Sequence, residues 1–339
     1  MEALERLAGL QAQEPKPPFT GLWSRLAAFR RDDLTDALGA RSVVRATLMR
    51  GTLHLLAAGD YASFRPALQP VMERALKVLG ERAEGLDLTL VLPAARALLA
   101  ERPYGFDELR GVLQERFPEV NDRALGYAVR THLPLVMVPV ADARWGFPSV
   151  AGFTLAEPWL GGRPIAERGP PEQLVLRYLA AFGPASAADA QTWSGLQGLA
   201  PVFEELRPQL RVFRGERGRR ELFDLPDAPR PGEDVPAPAR FLPEFDNLVL
   251  AHGDRSRLLA DEHRGLIVTK NLRVRATFLW DGMVAGTWEV KRARGVATLT
   301  ASPFAALPAR AVKALTAEAE ALLRFAEDDA KDWAVAGLA

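Results

Sequence analysis

Between Glu172 and Leu225 the chain passes through three helical segments and then two β-like segments, an order that restricts the fold more than any other feature of the sequence. Glu172 to Phe182 is apolar at helical spacing (Leu174, Leu176, Tyr178, Leu179), and Gly183-Pro184 stops it as a C-cap glycine followed by proline should. Ser186 can N-cap a second helix through Trp193, Gly195 ends that helix, and Pro201 stands near the start of a third that runs through Phe203 to Leu206. Leu210 to Arg214 and Glu221 to Leu225 read as strands around a tip at Gly215 to Arg220. Three helices followed by a hairpin describe a winged helix.

The same order recurs from about Pro93 to Phe147. The predicted helices there are Ala94 to Ala100, Phe106 to Phe117 and Asp122 to Arg130, the last with Asn121 as N-cap, and the predicted strands are Leu133 to Val140 and Arg144 to Phe147. A weaker copy, truncated at its start, has short helices at Ala3 to Leu10, Leu22 to Phe29 and Asp33 to Leu38, then strands Val43 to Met49 and Thr52 to Ala57 around Arg50-Gly51. Pro226, Pro229, Pro231, Pro236 and Pro238 mark a stiff linker. Beyond it the pattern favours strands: Leu248 to Ala251, Gly265 to Val268, Arg275 to Trp280, Val284 to Val290 and Val296 to Thr300, with Asp281-Gly282 as a hairpin turn. A helix from Pro308 to about Ala326 carries Val312, Leu315, Ala319, Leu322 and Ala326 on one stripe. The predicted fold is α+β: three tandem winged-helix modules (1–60, 93–150 and 172–226), followed by a small β-rich module, a partial barrel, with a C-terminal helix (227–339). Connecting helices fill 61–92 and a linker fills 151–171.

Composition narrows the chemistry. The 339 residues are 48% hydrophobic and 25% charged, as in ordinary globular domains. Lys+Arg and Asp+Glu balance at 43 each, so no global field attracts a polyanion, and nucleic-acid binding has to come from local patches. No apolar run reaches the roughly 18 to 20 residues of a membrane span, and Met1 is followed by Glu2 and Glu5 rather than by a basic and then apolar leader, so a cytoplasmic location away from membranes is expected. The absence of Cys excludes disulfides, thiolate catalysis and Cys-based metal sites. His54, His132, His252 and His263 are far apart in sequence, and neither a phosphate loop nor a Gly-x-Ser-x-Gly elbow occurs, so neither metal nor cofactor is expected.

Gln11 and Gln13 stand before Glu14-Pro15 and Pro17-Pro18. Pro15 pushes Glu14 out of the α region, so the pair is expected on an extended exit from the first helix, where residues two apart share a side. Two amides converging there could hold a water in a fixed orientation without taking a full proton. By spacing alone, a pair of solvated loop glutamines explains the residues more readily.

Six segments alter that balance. They are Leu10-Gln11-Ala12-Gln13-Glu14-Pro15; Leu22-Trp23-Ser24-Arg25-Leu26; Met49-Arg50-Gly51-Thr52-Leu53-His54-Leu55; Phe182-Gly183-Pro184-Ala185-Ser186-Ala187-Ala188-Asp189 with Trp193-Ser194-Gly195-Leu196; Phe241-Leu242-Pro243-Glu244-Phe245-Asp246-Asn247; and Asp281-Gly282 with Ala285-Gly286-Thr287-Trp288. In this order, across nearly the whole chain, they resemble the signature segments of the winged-helix crosslink-repair DNA glycosylases, in the azinomycin-resistance-glycosylase-like, Gln-x-Gln branch. The resemblance implies a monofunctional glycosylase that hydrolyses the N-glycosidic bond of N7-alkylated purines and unhooks interstrand crosslinks, with Gln11 and Gln13 as the catalytic pair. The chain departs from the family's pattern in two places. Only ten residues precede the glutamines, and the family's Val-Pro-Pro-x-Gly-x-Trp reads here as Val138-Pro139-Val140-Ala141-Asp142-Ala143-Arg144-Trp145.

The partner so implied is alkylated or crosslinked double-stranded DNA, bound by a monomer associated with the nucleoid. In the hairpin after Leu206, Arg211, Arg214, Arg217, Arg219 and Arg220 outnumber Glu216, Glu221 and Asp224, with the excess at the tip, as in a wing reaching phosphates; a solvated hairpin with a few salt bridges explains it equally well. Arg50 and His54, on the first hairpin, are candidates for lining the Gln site and touching DNA, although His54 is as readily a buried structural histidine. Arg255, Arg257, Arg264, Lys270, Arg273 and Arg275 form a second basic stretch. Glu244 and Asp246, flanked by Pro243 and Phe245, read as a packed turn rather than a catalytic pair. The alternative from another class is a non-enzymatic winged-helix DNA-binding protein, a regulator or a damage-recognition factor.

Overall fold

The computed structural model describes residues 1–215, 220–232, 234–269 and 273–338. The chain forms two compact units, Met1–Pro15 with Arg30–Ala228, and Lys16–Phe29 with Pro229 onward. Lys16–Phe29, assigned by the sequence pattern to the first module, therefore belongs to the second unit. Its helix is Lys16–Trp23, not Leu22 to Phe29. Pro17 and Pro18 fall in the first turn, where the missing N–H groups cost nothing and the fixed φ favours a helix start. Trp23 and Phe29 then find their apolar partner in Phe325, with ring centroids at 5.8 and 5.9 Å.

The first unit is built on an antiparallel sheet of β1 (Leu10–Gln11), β2 (Val43–Thr47), β3 (Leu53–Ala57), β4 (Leu135–Met137) and β5 (Phe153–Leu155), in the order β1-β3-β2-β4-β5. The β2–β3 hairpin and β4, expected in separate modules, are joined in one sheet through Arg45 opposite Met137. Arg144 to Phe147, expected as a strand, is a loop, and β5 takes its place. Val140 N–H donates to Gly146 O at 2.8 Å and Ala143 N–H to Val140 O at 3.0 Å, with Gly146 at φ +73°. These bonds close the segment into a loop, so part of its backbone pairs within itself rather than along β4.

Three helices, Leu88–Glu101, Phe106–Arg116 and Asp122–His132, precede β4, and Asn121 caps the last by accepting from Arg123 N. Glu172–Phe182, Ala187–Ser194 and Ala200–Leu206 precede the antiparallel pair β6 (Arg211–Arg214) and β7 (Glu221–Asp224). Ser186 and Asp189 close a capping box, and Gly195 ends that helix in the left-handed region at φ 82°. Trp193 is buried among Tyr178 and Phe182, at 5.1 and 6.1 Å between centroids.

In the second unit β8 (Arg240–Leu242), β9 (Thr277–Trp280), β10 (Met283–Ala293), β11 (Val296–Pro303) and β12 (Asp332–Ala336) form a sheet in the order β12-β11-β10-β9-β8, parallel only between β11 and β12. Asp281 and Gly282 both take positive φ at the β9–β10 turn, as the dipeptide predicts. The Ala309–Ala326 helix buries Ala311, Leu315, Ala319, Leu322 and Leu323 in a core shared with Phe241, Phe278 and Leu299. Two expected strands are helical turns instead, Asn247–Leu250 and Arg264–Ile267. Asp246 N-caps the first, its side chain accepting from Leu248 N at 2.9 Å. A four-residue apolar run has no period of its own, so the cap decides. No helix among the described residues is long and apolar enough to cross a membrane.

Candidate active site

Ala8 and Gly9 take φ values of 49° and 88° and turn the chain out of the Glu2–Arg6 helix into β1. A side chain at residue 9 would lie 3.1 Å from Leu55 O and from Leu56 Cβ, so glycine is required for this approach to β3. Gln11 stands opposite His54, and the ladder continues through Ala12 N–H to Leu53 O at 2.7 Å. Gln11 thus lies on a strand, and Gln13 lies on the bend that follows it. Gln11 is 7% exposed whereas Gln13 is open to solvent, and Gln13 Oε1 accepts a long 3.4 Å bond from Leu53 N–H.

Arg50 approaches Gln11 from the tip of the β2–β3 hairpin, where Arg50 and Gly51 take φ values of 56° and 70°. A left-handed arginine costs on the order of 1 kcal/mol, and here the surroundings hold it in place. Nη2 donates to Gln11 Oε1 at 2.8 Å, and Nη1 donates to the carbonyl of Trp193. Gly195 supports the tip from below: a Cβ there would sit 3.1 Å from Arg50 Cα. Arg50 has no carboxylate partner among the described residues, and burial lowers its pKa to about 10, which leaves it charged at neutral pH.

His54 Nδ1 lies 3.0 Å from Thr52 O, so Nδ1 carries the proton and the Nε2 lone pair faces Arg50 Nη2 at 3.4 Å. Burial, and then the Arg50 charge, lower its pKa to about 3. His54 is 1% exposed and neutral, the buried histidine that the sequence allowed as readily as a DNA contact, and it lies beside Arg50.

Arg45, in the middle of β2, was missed from sequence. It is 4% exposed, and its Nε and Nη2 donate to Ala12 O and Gln13 O at 2.9 and 3.0 Å. The Phe147 ring lies 4.9 Å from its guanidinium carbon, and burial, opposed by Glu14, lowers its pKa to about 10. The available signal was one charge inside the otherwise uncharged run Val43-Val44-Arg45-Ala46-Thr47. A buried cation there needs acceptors, and the carbonyls beyond β1 supply them. Each glutamine is thus served by an arginine, Gln11 through its amide and Gln13 through its backbone.

The other expected contacts lie elsewhere. Arg214 and Arg220 are exposed on the β6–β7 hairpin, Arg220 standing 3.8 Å from Asp189; Arg217 and Arg219 lie outside the described residues. Asp246 pairs with Arg25 at 2.7 and 2.9 Å and Glu244 with Arg273 at 2.8 Å, so both carboxylates have structural partners.

Comparison with known proteins gives a consistent answer. The family model described as DNA glycosylase AlkZ-like matches residues 4–325. The interstrand DNA cross-link repair glycosylase of Streptomyces sahachiroi is 27% identical over 359 aligned positions, covering 95% of this chain and 90% of the relative. The solved structure of Streptomyces sahachiroi DNA glycosylase AlkZ shares the fold at a TM-score of 0.77 and 23% identity, over 98% of this chain and 92% of that one. A family model that spans all but the first three and the last fourteen residues leaves one conclusion: the chain belongs to the AlkZ-like DNA glycosylase family.

Proposed function

We propose that the protein is a monofunctional DNA glycosylase that hydrolyses the N-glycosidic bond of N7-alkylated purines in double-stranded DNA, interstrand crosslinks included, with Gln11 and Gln13 positioning the water. The observation that carries this reading is the contrast within the pair: Gln11 is fixed by a charge-assisted bond from Arg50, while Gln13 is open to solvent on the bend that follows β1.

An N7-alkylpurine is already cationic, so its bond to C1′ breaks with the electron pair moving to the base and needs no general acid. The sugar becomes oxocarbenium-like, water adds at C1′, and its proton passes to solvent. Neutral amides suit this chemistry because they orient water and tolerate positive charge without taking the proton themselves. In this reading Gln13 holds the water, and Gln11 offers its NH2 group and the second lone pair of Oε1. The helix-and-hairpin repeats act as winged-helix modules on the duplex, with Arg214, Arg217, Arg219 and Arg220 of the last wing reaching phosphates. The protein works at the nucleoid as a monomer without a cofactor.

Single-turnover release of N7-methylguanine tests the assignment. Gln11→Ala and Gln13→Ala are each expected to slow excision roughly ten- to a thousandfold, about 1.4 to 4 kcal/mol of transition-state stabilisation, and Gln13→Asp to retain appreciable activity. Wild-type rates in a folded Gln11→Ala/Gln13→Ala protein overturn the catalytic assignment. No release by the wild-type protein from any alkylated substrate favours a non-enzymatic DNA-binding role.

A further inference from the structure

Two more arginines converge on the hairpin tip that carries Arg50. Arg130, in the last turn of the Asp122–His132 helix, donates from Nη2 to Gly51 O at 3.3 Å. Arg74, in the last turn of the Gln69–Lys77 helix, donates to the carbonyl of Gly195, the residue packed against the Arg50 backbone. All three guanidinium groups therefore meet main-chain carbonyls around one loop, and none of them forms an ion pair with a described residue.

Such an arrangement is costly if it serves structure alone. A buried or half-buried cation is normally neutralised by a carboxylate, because a carbonyl dipole replaces only part of the lost hydration. Arg130 is half-buried, its pKa is lowered by burial with no carboxylate opposing the effect, and its Nε is buried without a hydrogen-bond partner. Arg74 is half-buried as well. The nearest acidic neighbours on these helices are engaged elsewhere: Glu73 accepts from Arg168 at 2.5 Å, and Asp122 faces Arg110 at 3.4 Å. The tip thus concentrates positive charge beside Gln11 in a chain whose overall charge is zero.

We infer that Arg74 and Arg130, flanking Arg50 at the β2–β3 tip, form a binding site for a phosphodiester of the DNA backbone next to the Gln11–Gln13 segment. Carbonyl bonds occupy part of each guanidinium fork and hold it in place; the remaining N–H groups and the uncompensated charge are left for an anionic oxygen. The inference rests on DNA being the substrate. It adds a contact that would set the register of the lesion nucleotide against the glutamines, separate from the β6–β7 wing.

The test is the salt dependence of binding to an undamaged duplex, read by fluorescence anisotropy for the wild-type protein, Arg74→Gln, Arg130→Gln, the double variant, and Arg74→Lys/Arg130→Lys. Each lost phosphate contact is expected to make the slope of log K against log salt shallower by about 0.9, and the double variant by about 1.8, with affinity reduced roughly tenfold or more. The Lys pair is expected to keep the wild-type slope, because lysine preserves the charge. A site that only braces the loop would lower the melting temperature and leave the slope unchanged. Wild-type slope and affinity in the folded Gln variants overturn the proposal, and if Arg130→Gln does not fold, the less constrained Arg74→Gln decides it alone. Because the probe is undamaged, a wild-type protein that binds with a steep slope but releases no alkylated base sinks the glycosylase assignment and leaves this site standing.

Discussion

Arg50 Nη2 donates to Gln11 Oε1 across 2.8 Å, and this bond decides which end of the Gln11 amide faces outward. An amide is nearly symmetric in shape, so only a neighbour of fixed polarity sets its orientation. A guanidinium donates and cannot accept; the carbonyl must turn toward Arg50 and the NH2 group away. Arg50→Met is therefore expected to slow base excision by tenfold or more, with a much smaller further effect in a Gln11→Ala background. A double-mutant cycle on single-turnover rates measures the coupling, and fully additive losses would show that Arg50 does not act through Gln11.

Arg45 is the corresponding support for Gln13. Arg45→Met leaves the carbonyls of Ala12 and Gln13 without their donors next to a buried strand, for an expected loss of about 2 to 5 kcal/mol in stability. Arg45→Lys restores a charge and one donor and is expected to recover part of both stability and excision rate. Urea unfolding of the two variants checks the order. Equal stability of Arg45→Met and wild type would mean that the clamp contributes nothing.

The pH dependence of stability reports on His54. Its pKa is lowered to about 3 in the folded protein, against an ordinary value near 6.5 in the unfolded chain. Between these values the unfolded chain binds a proton that the folded one excludes, so the contribution of His54 makes the protein lose stability as pH falls through this window, by at most about 1.4 kcal/mol per pH unit. Burial lowers His132 in the same direction, so His54→Gln is expected to reduce the acid-side slope without removing it. Urea midpoints from pH 7 to pH 4 give the comparison, and an unaltered slope in His54→Gln would contradict a buried neutral imidazole.

In the second unit the Asp246 side chain is fully buried, pairs with Arg25 at 2.7 and 2.9 Å and caps the Asn247–Leu250 turn. Asp246→Ala strands the Arg25 charge and uncaps the turn together, and the expected cost is roughly 3 to 5 kcal/mol. Asp246→Asn keeps one acceptor and should cost less. Thermal melts of the full chain rank the two, and near-wild-type melting of Asp246→Ala would exclude the pair as a structural anchor.

What the sequence determined by itself is local. Ser186 and Asn121 cap the helices they precede, Gly195 ends its helix in the left-handed region, and Asp281-Gly282 makes its turn, because each of these depends on backbone groups a few residues away. From Pro15 an extended exit is expected for Gln11 to Gln13, but the strand ends at Gln11 and Gln13 falls on a bend. Tertiary structure decided the rest. Short apolar runs such as Leu248 to Ala251 carry no period, and the Asp246 cap made that one helical. Lys16–Phe29 joined the second unit because Phe325, far along the chain, supplied its aromatic partner. Arg45 and Arg50 became the supports of the two glutamines only once β1, β2 and β3 had paired. A cap needs one acceptor within reach of a turn, whereas a buried guanidinium needs several acceptors brought to it by strands distant in sequence, and no spacing rule along the chain encodes that closure.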